Sequence, residues 1–209
     1  VNVPSYGAHA VAEHTFALIL ALSRKLIPTI EQSRRGNYSL AGLAGFDLAG
    51  KTLGVIGTGK IGSKVVKLAR AFEMEILIFT KHPEEFQGQP NVTAATIEEI
   101  LPQADIVTLH LPYTKETHHI INRENINLFK KGSVLINTSR GQLIETQAIL
   151  EGLEKGILQG AGLDVLEEEG SLKEERELLS EQFLQQSDLK TQLLNHILLN
   201  REDVLFTSH

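Results

Sequence analysis

The run Leu53-Gly54-Val55-Ile56-Gly57-Thr58-Gly59-Lys60-Ile61-Gly62 constrains this chain more than any other segment. An apolar stretch leads straight into three glycines spaced G-x-G-x-x-G, and an apolar-faced segment follows. In that setting each glycine has its own task. Gly57 permits a tight turn, Gly59 lets the backbone approach a pyrophosphate, and Gly62 lets a helix pack close to the strand. The free N–H groups and partial positive charge of the helix N-terminus then favour phosphate. The rival reading is a glycine-rich turn that binds nothing. The strand before it and the helix after it weigh against that.

The alternation continues along the chain. The pattern predicts strands over 51–56, 75–79, 105–110, 133–137, 158–165 and 204–206, and helices over 60–72, 96–101, 123–129 and 146–155. Thr96 and Glu99 form a capping box for the second of these helices, and Gly156 ends the last. The strands are runs of Val, Ile and Leu with little polar alternation, as in a parallel sheet buried on both faces. Strands separated by helices make βαβ units. The class is therefore α/β: a doubly wound parallel sheet, a dinucleotide-binding domain of Rossmann type occupying 1–209 with its core at 51–165.

Two segments flank that core. Residues 8–26 read as an opening helix, with Ala12, Phe16, Ile19 and Leu20 near helical spacing and Pro28 as its stop. It is apolar nearly all round, which implies burial against a neighbour or a second subunit. Residues 31–50 read as a surface connection. Residues 171–200 read as a helical insertion of two amphipathic helices, one bearing Leu178, Leu179, Phe183 and Leu184, the other Leu189, Leu193, Leu194 and Leu198.

Composition narrows the function. The formal net charge of −6 argues against general affinity for nucleic acid or anionic membrane surfaces. The absence of cysteine removes disulfides, zinc–thiolate sites and thiol catalysis. The most apolar stretch, 11–22, carries Glu13 and His14 and is too short to span a bilayer. No leader pattern opens the chain, so a cytoplasmic location is expected. Val1 in place of Met, and a final strand with nothing after it, suggest a fragment with sequence missing on both sides.

Strand two should end in an acidic residue that holds the ribose hydroxyls of NAD. Thr80-Lys81-His82 stands there instead. Thr80 can still hydrogen-bond a ribose, and Lys81 and His82 can meet a 2′-phosphate or simply be solvated. NAD is the expected cofactor, with NADP left open. No ligand set at useful spacing surrounds His118-His119, so no metal site is expected there.

The chain resembles the nucleotide-binding domain of the D-isomer-specific 2-hydroxyacid dehydrogenases. The resemblance rests on Ala12-Glu13-His14-Thr15, the glycine turn, Leu109-His110-Leu111-Pro112, Ile136-Asn137-Thr138-Ser139-Arg140-Gly141, Gly162-Leu163-Asp164-Val165 and Thr207-Ser208-His209, in the family's order. It implies hydride transfer between NAD(P)H and a small 2-keto or D-2-hydroxy acid. The acidic run after Asp164 and the final Val204-Leu205-Phe206-Thr207-Ser208-His209 look closest to the lactate-acting members.

The resemblance also implies roles. Arg140 grips the substrate carboxylate, His209 is the acid-base, and Glu169 pairs with that histidine. Glu167 and Glu168 flank Glu169, so its assignment rests on register. Asp164 faces the nicotinamide carboxamide, and Lys60 and Ile61 offer backbone to the pyrophosphate. Leu111, Pro112 and Thr117 line the groove, and Thr138 and Ser139 lead into Arg140. His14 has no chemical role on this reading, and His110 is either packing or a cofactor neighbour.

The 40-residue gap from Glu169 to His209 is longer than in most of the family. The family's substrate domain is absent from the chain, so the isolated chain should bind dinucleotide but turn over poorly. A homodimer is expected. The rival function is a dinucleotide-sensing corepressor of the same fold. A third reading keeps the fold with other chemistry, and the set Arg140, Glu169 and His209 speaks against it.

Overall fold

The computed structural model describes residues 7–167 and 189–208. Among them, seven parallel strands form one sheet in the order β3-β2-β1-β4-β5-β6-β7. They are β1 (Thr52–Ile56), β2 (Glu75–Phe79), β3 (Val92–Ala94), β4 (Ile106–Leu109), β5 (Ser133–Asn137), β6 (Leu158–Leu163) and β7 (Val204–Phe206). The chain builds outward from β1 through β2 to β3, then crosses to β4 on the other side and builds outward again. The carboxyl ends of β1 and β4 are thus neighbours where the winding reverses, the place where open α/β sheets leave a crevice.

The helices among the described residues are α1 (Gly7–Ser23), α2 (Leu26–Arg34), α3 (Gly62–Ala71), α4 (Ile97–Ile100), α5 (Thr146–Glu154) and α6 (Leu189–Leu199). On one face of the sheet, Phe16 and Ile19 of α1 and Val65 and Val66 of α3 pack with Val55, Ile76 and Ile136. On the other, Ile100, Ile149, Leu153 and Leu198 pack with Ile56, Val107, Leu135 and Leu163. Cover on both faces explains the near-continuous apolar runs of β4 and β5, which are buried along their whole length.

The opening helix departs from its expected bounds. It stops at Ser23, and Lys25 turns left-handed at φ 49°. The stop is set from outside: the Ser23 carbonyl accepts the Phe46 N–H at 2.9 Å. Pro28 does not end the helix. It sits in the first turn of α2, where its missing N–H has no intrahelical partner to lose. The apolar faces of α1 are accounted for within the chain, since Ala12, Phe16, Leu18 and Ile19 are buried against α3 and the sheet.

Residues 123–129 are not an α-helix; only Ile126–Leu128 forms a short 3-10 turn. Asparagine side chains take over the local hydrogen bonding. Asn122 Oδ1 accepts the N–H groups of Glu124 and Asn125, and Asn125 Nδ2 donates to the Ile120 carbonyl at 2.7 Å. Such local bonds compete with helix formation. The capping box at Thr96 and Glu99 is present in both directions. Strand β3, absent from the sequence reading, is only three residues long. Of the two helices expected over 171–200, α6 is described and the segment with Leu178, Leu179, Phe183 and Leu184 lies outside the described residues.

Candidate functional site

The glycine turn forms where β1 meets α3. Gly57 has φ 99°, and a Cβ there would sit 2.8 Å from the His110 carbonyl oxygen. A side chain would therefore be strained and would also wedge β1 from β4. A Cβ on Gly62 would lie 1.9 Å from the Gly57 carbonyl oxygen, so only glycine lets α3 start this close. Gly59 is the contrast: a Cβ there meets nothing within 4 Å. Gly59 is bare toward open space, not toward protein, which is the approach a pyrophosphate needs. Among the described residues no side chain caps α3 at Ile61; the Ser63 N–H is taken by the Gly59 carbonyl, and the N–H groups ahead of it are the ones an anion can use. Lys60 is exposed beside the turn. These residues fit a dinucleotide.

At the end of β2, the Thr80 hydroxyl accepts from the Thr58 hydroxyl and, at 3.1 Å, from the His82 N–H. Its own proton is left to donate outward, whereas a carboxylate here would only accept. Lys81 is exposed, and His82 Nδ1 meets Glu84 at 3.2 Å.

The segment after β4 follows His110, whose carbonyl borders the glycine turn. Leu111 is partly buried and Pro112 exposed. Thr117 braces this loop, donating to the Pro112 carbonyl and accepting the Thr114 N–H, each at 2.8 Å. His110 is buried against the turn. Its Nε2 meets the Thr108 hydroxyl at 3.0 Å and its Nδ1 has no hydrogen-bond partner among the described residues. Burial pushes its pKa down to about 4, so the ring is neutral near pH 7.

Arg140 follows β5 and is exposed, with Nη1 on the Ser139 carbonyl. Asn137 braces its backbone. Its Oδ1 accepts the Ser139 N–H at 3.0 Å and its Nδ2 donates to the Arg140 carbonyl at 2.9 Å. Ser139 Oγ reaches the Leu109 carbonyl at 2.7 Å and Thr138 Oγ1 meets Thr15 Oγ1 at 3.0 Å. Both hydroxyls are therefore engaged within the protein and brace the guanidinium's loop. A Cβ on Gly141 would lie 1.9 Å from the Leu166 carbonyl oxygen and 2.4 Å from the Glu167 nitrogen. That backbone-to-backbone contact joins the Arg140 loop to the segment after β6.

On that segment, Glu167 is not a solvated acid. Its Oε1 meets His119 Nε2 at 2.6 Å, and its Oε2 accepts from the N–H and hydroxyl of Thr146 at the start of α5. Asn195 of α6 donates to the Glu167 carbonyl at 2.7 Å. Adjacent side chains ordinarily diverge, but those of His118 and His119 do not. His119 has φ 49°, which swings its ring over His118 with centroids 3.8 Å apart. Asp164 accepts from the Thr207 hydroxyl and lies 3.1 Å from His14 Nε2. Glu169 and His209 lie outside the described residues.

The sequence reading missed the partners of Asp164 and Glu167. His14, His119, Thr146 and Asn195 are 20 to 150 positions away in the chain, and no local pattern signals them.

A family model described as D-isomer specific 2-hydroxyacid dehydrogenase, NAD binding domain, matches residues 16–209. The chain is 43% identical over 172 residues to 2-hydroxyacid dehydrogenase A of Aspergillus oryzae, covering 82% of this chain and 49% of the relative. It is 38% identical over 182 residues to a glyoxylate reductase of Pyrococcus horikoshii, covering 83% and 54%. The crystal structure of D-lactate dehydrogenase from Aquifex aeolicus, complexed with NAD and lactic acid, superposes with a TM-score of 0.86 at 36% identity, covering 98% of this chain and 60% of that one. The chain spans about half the length of these two curated relatives. All three are enzymes by name, and none is a corepressor.

Proposed function

Because the chain belongs to the D-isomer-specific 2-hydroxyacid dehydrogenases, as their NAD-binding domain, we propose that the whole protein interconverts a small 2-keto acid and its D-2-hydroxy acid, with a lactate-like substrate preferred. One arrangement carries the reading. The uncapped glycine turn after β1 and the exposed guanidinium after β5 open on the same carboxyl edge of a parallel sheet.

The bound reduced cofactor supplies the hydride. Gly57, Gly59, Lys60, Ile61 and Gly62 hold its pyrophosphate, and Thr80 its adenosine ribose. Leu111, Pro112 and Thr117 wall the groove, Thr138 and Ser139 set the Arg140 loop, and Asp164 accepts from the carboxamide. Arg140 grips the substrate carboxylate with two parallel hydrogen bonds and polarises the neighbouring carbonyl. His209 gives its proton to the carbonyl oxygen as hydride reaches the carbon, and takes it back in the reverse direction. Glu169 favours the charged imidazole and orients it. The last two roles come from the family's motif.

Thr80 in place of an acid leaves room for the 2′-phosphate of NADP beside Lys81. Leu26, Ile27 and Ile30 on α2 are each about 44% exposed and form the face a second copy would cover in a homodimer. A cytoplasmic location completes the reading; no helix among the described residues is long and apolar enough to cross a membrane.

The test follows cofactor absorbance with the whole protein on pyruvate, glyoxylate, hydroxypyruvate and bulkier keto acids. Pyruvate should give the highest kcat/KM. Arg140→Lys should lower kcat/KM about a hundredfold through lost bidentate binding. His209→Gln should lower kcat by about 10²–10⁴-fold. A fully active His209→Gln enzyme removes the acid-base assignment, and absence of turnover on every keto acid removes the reading.

A further inference from the structure

We infer that His14 is a positioning residue for the nicotinamide end of the dinucleotide: from α1 it fixes the Asp164 carboxylate through Thr207. The inference rests on the role proposed above for Asp164 and adds a residue from a different layer of the fold.

Three elements meet at one carboxylate oxygen. Thr207, just after β7, donates its hydroxyl proton to Asp164 Oδ1. His14 Nε2 lies 2.9 Å from the same Thr207 oxygen and 3.1 Å from the same Asp164 oxygen. A threonine hydroxyl has one proton, and here it is used on Asp164. His14 Nε2 must then carry the proton in its bond to Thr207, and it stands at ion-pair distance from Asp164. Asp164 Oδ1 thus receives the Thr207 proton from the sheet edge, while the Thr207 hydroxyl is itself held by the helix above it. A carboxylate bonded to a hydroxyl that a second element fixes is hindered from turning away from a ligand.

The surroundings are built to hold α1 in register. Asp164 N–H bonds the Asn137 carbonyl at 2.9 Å and Thr207 N–H bonds the Leu163 carbonyl at 3.0 Å, so β5, β6 and β7 end in a fixed row. The next residue of α1, Thr15, is fully buried and bonds Thr138 at the end of β5. One turn of α1 therefore grips three strand ends. His14 itself keeps 36% of its side chain exposed, while Asp164 keeps 11%. A histidine that open contributes little to the core, so its removal should act on the site more than on folding. In sequence, Thr207 is two positions before His209, so the same cluster also sets where the chain leaves β7.

The test compares two ligands on the whole protein by calorimetry: NADH, and ADP-ribose, which lacks the nicotinamide ring. His14→Leu should weaken NADH about tenfold, the scale of one lost hydrogen bond, and leave ADP-ribose unchanged. His14→Gln offers an amide N–H near the position of Nε2 and should restore NADH to within about threefold of the parent. Asp164→Asn is the reference and should also weaken NADH alone. If Asp164→Asn weakens NADH alone while His14→Leu changes neither ligand, the inference fails and the role of Asp164 stands. A His14→Leu loss equal for both ligands, or a thermal midpoint that falls with it, marks a structural residue and overturns the inference. If Asp164→Asn changes neither ligand, both readings fall.

Discussion

The two halves of the dinucleotide groove are built by different means. The half after β1 is made of backbone: three glycines, an uncapped helix start, and one exposed lysine. The half after β5 and β6 is made of side chains holding other loops in place. Asn137 braces Arg140, Glu167 ties His119 to α5, and His14 with Thr207 holds Asp164. The first half needs only what is missing, namely Cβ atoms. The second needs partners from five or more separate segments. A phosphate binds to any correctly shaped turn, whereas a carbonyl awaiting hydride needs groups fixed within a fraction of an ångström.

Adding one methyl group to each half should separate them. A Cβ on Gly141 collides with the Leu166 and Glu167 backbone, and backbone cannot rotate aside. Gly141→Ala should push the Arg140 loop away from the segment after β6 and lower kcat about a hundredfold or more, with dinucleotide affinity changed far less. A Cβ on Gly59 meets no protein atom. Gly59→Ala should leave the thermal midpoint of the unliganded protein unchanged and weaken NADH by about tenfold or more, because the methyl occupies the phosphate's approach. Steady-state kinetics and NADH titration on both variants decide it. If Gly59→Ala binds normally, or Gly141→Ala loses binding and turnover equally, the two halves are not distinct in this way.

His110 lies where the halves meet, and its burial makes a prediction about pH. Burial brings the folded ring's pKa down to about 4, from the ordinary 6.5 of an imidazole in water. Between those values the unfolded chain binds a proton that the folded chain refuses. Stability is therefore whole above pH 6.5 and falls as pH drops toward 4. The ceiling for this one group is about 3 kcal/mol on the order-of-magnitude scale of 1.4 kcal/mol per unit. Urea midpoints at pH 7.5 and pH 5 should differ less in His110→Gln than in the parent. Parallel losses in the two proteins would show that the folded ring is not held neutral.

How much of this was legible in the sequence follows from the same contrast. β5 and β7 have the expected bounds, and the glycine turn lies where its spacing put it, because strand burial and turn geometry are local properties. The break at Lys25 was not legible, since Phe46 causes it from 23 positions beyond Ser23. The missing helix over 123–129 was half legible: Asn122 and Asn125 were visible, but their bonds to the neighbouring backbone were not foreseen. Glu167 was read only as an acid flanking Glu169. Only the packing of His119, Thr146 and Asn195 around it distinguishes it from an acid in water. Arg140 was found through its motif, while Asn137 and Gly141, which hold it in place, acquire meaning only from contacts across the sheet edge.

The adenosine ribose end sharpens the comparison by the smallest effect. It belongs to the backbone-built half, yet its selectivity depends on one side chain. Thr80 already accepts from Thr58 and His82, so what it presents outward is a proton. A ribose hydroxyl or a 2′-phosphate oxygen can accept that proton, so in the role proposed for it Thr80 would discriminate weakly between NAD and NADP. Thr80→Asp puts a charge there that accepts from ribose hydroxyls and repels a 2′-phosphate across a few ångströms of water. Partly screened repulsion of that kind is worth about 1–2 kcal/mol, so the ratio of NADP to NAD dissociation constants should rise about tenfold. The affinity for NAD should change by no more than a few-fold. An unchanged ratio would mean that Lys81 and His82, not Thr80, face the 2′ position, and that this half too depends on a network beyond its own turn.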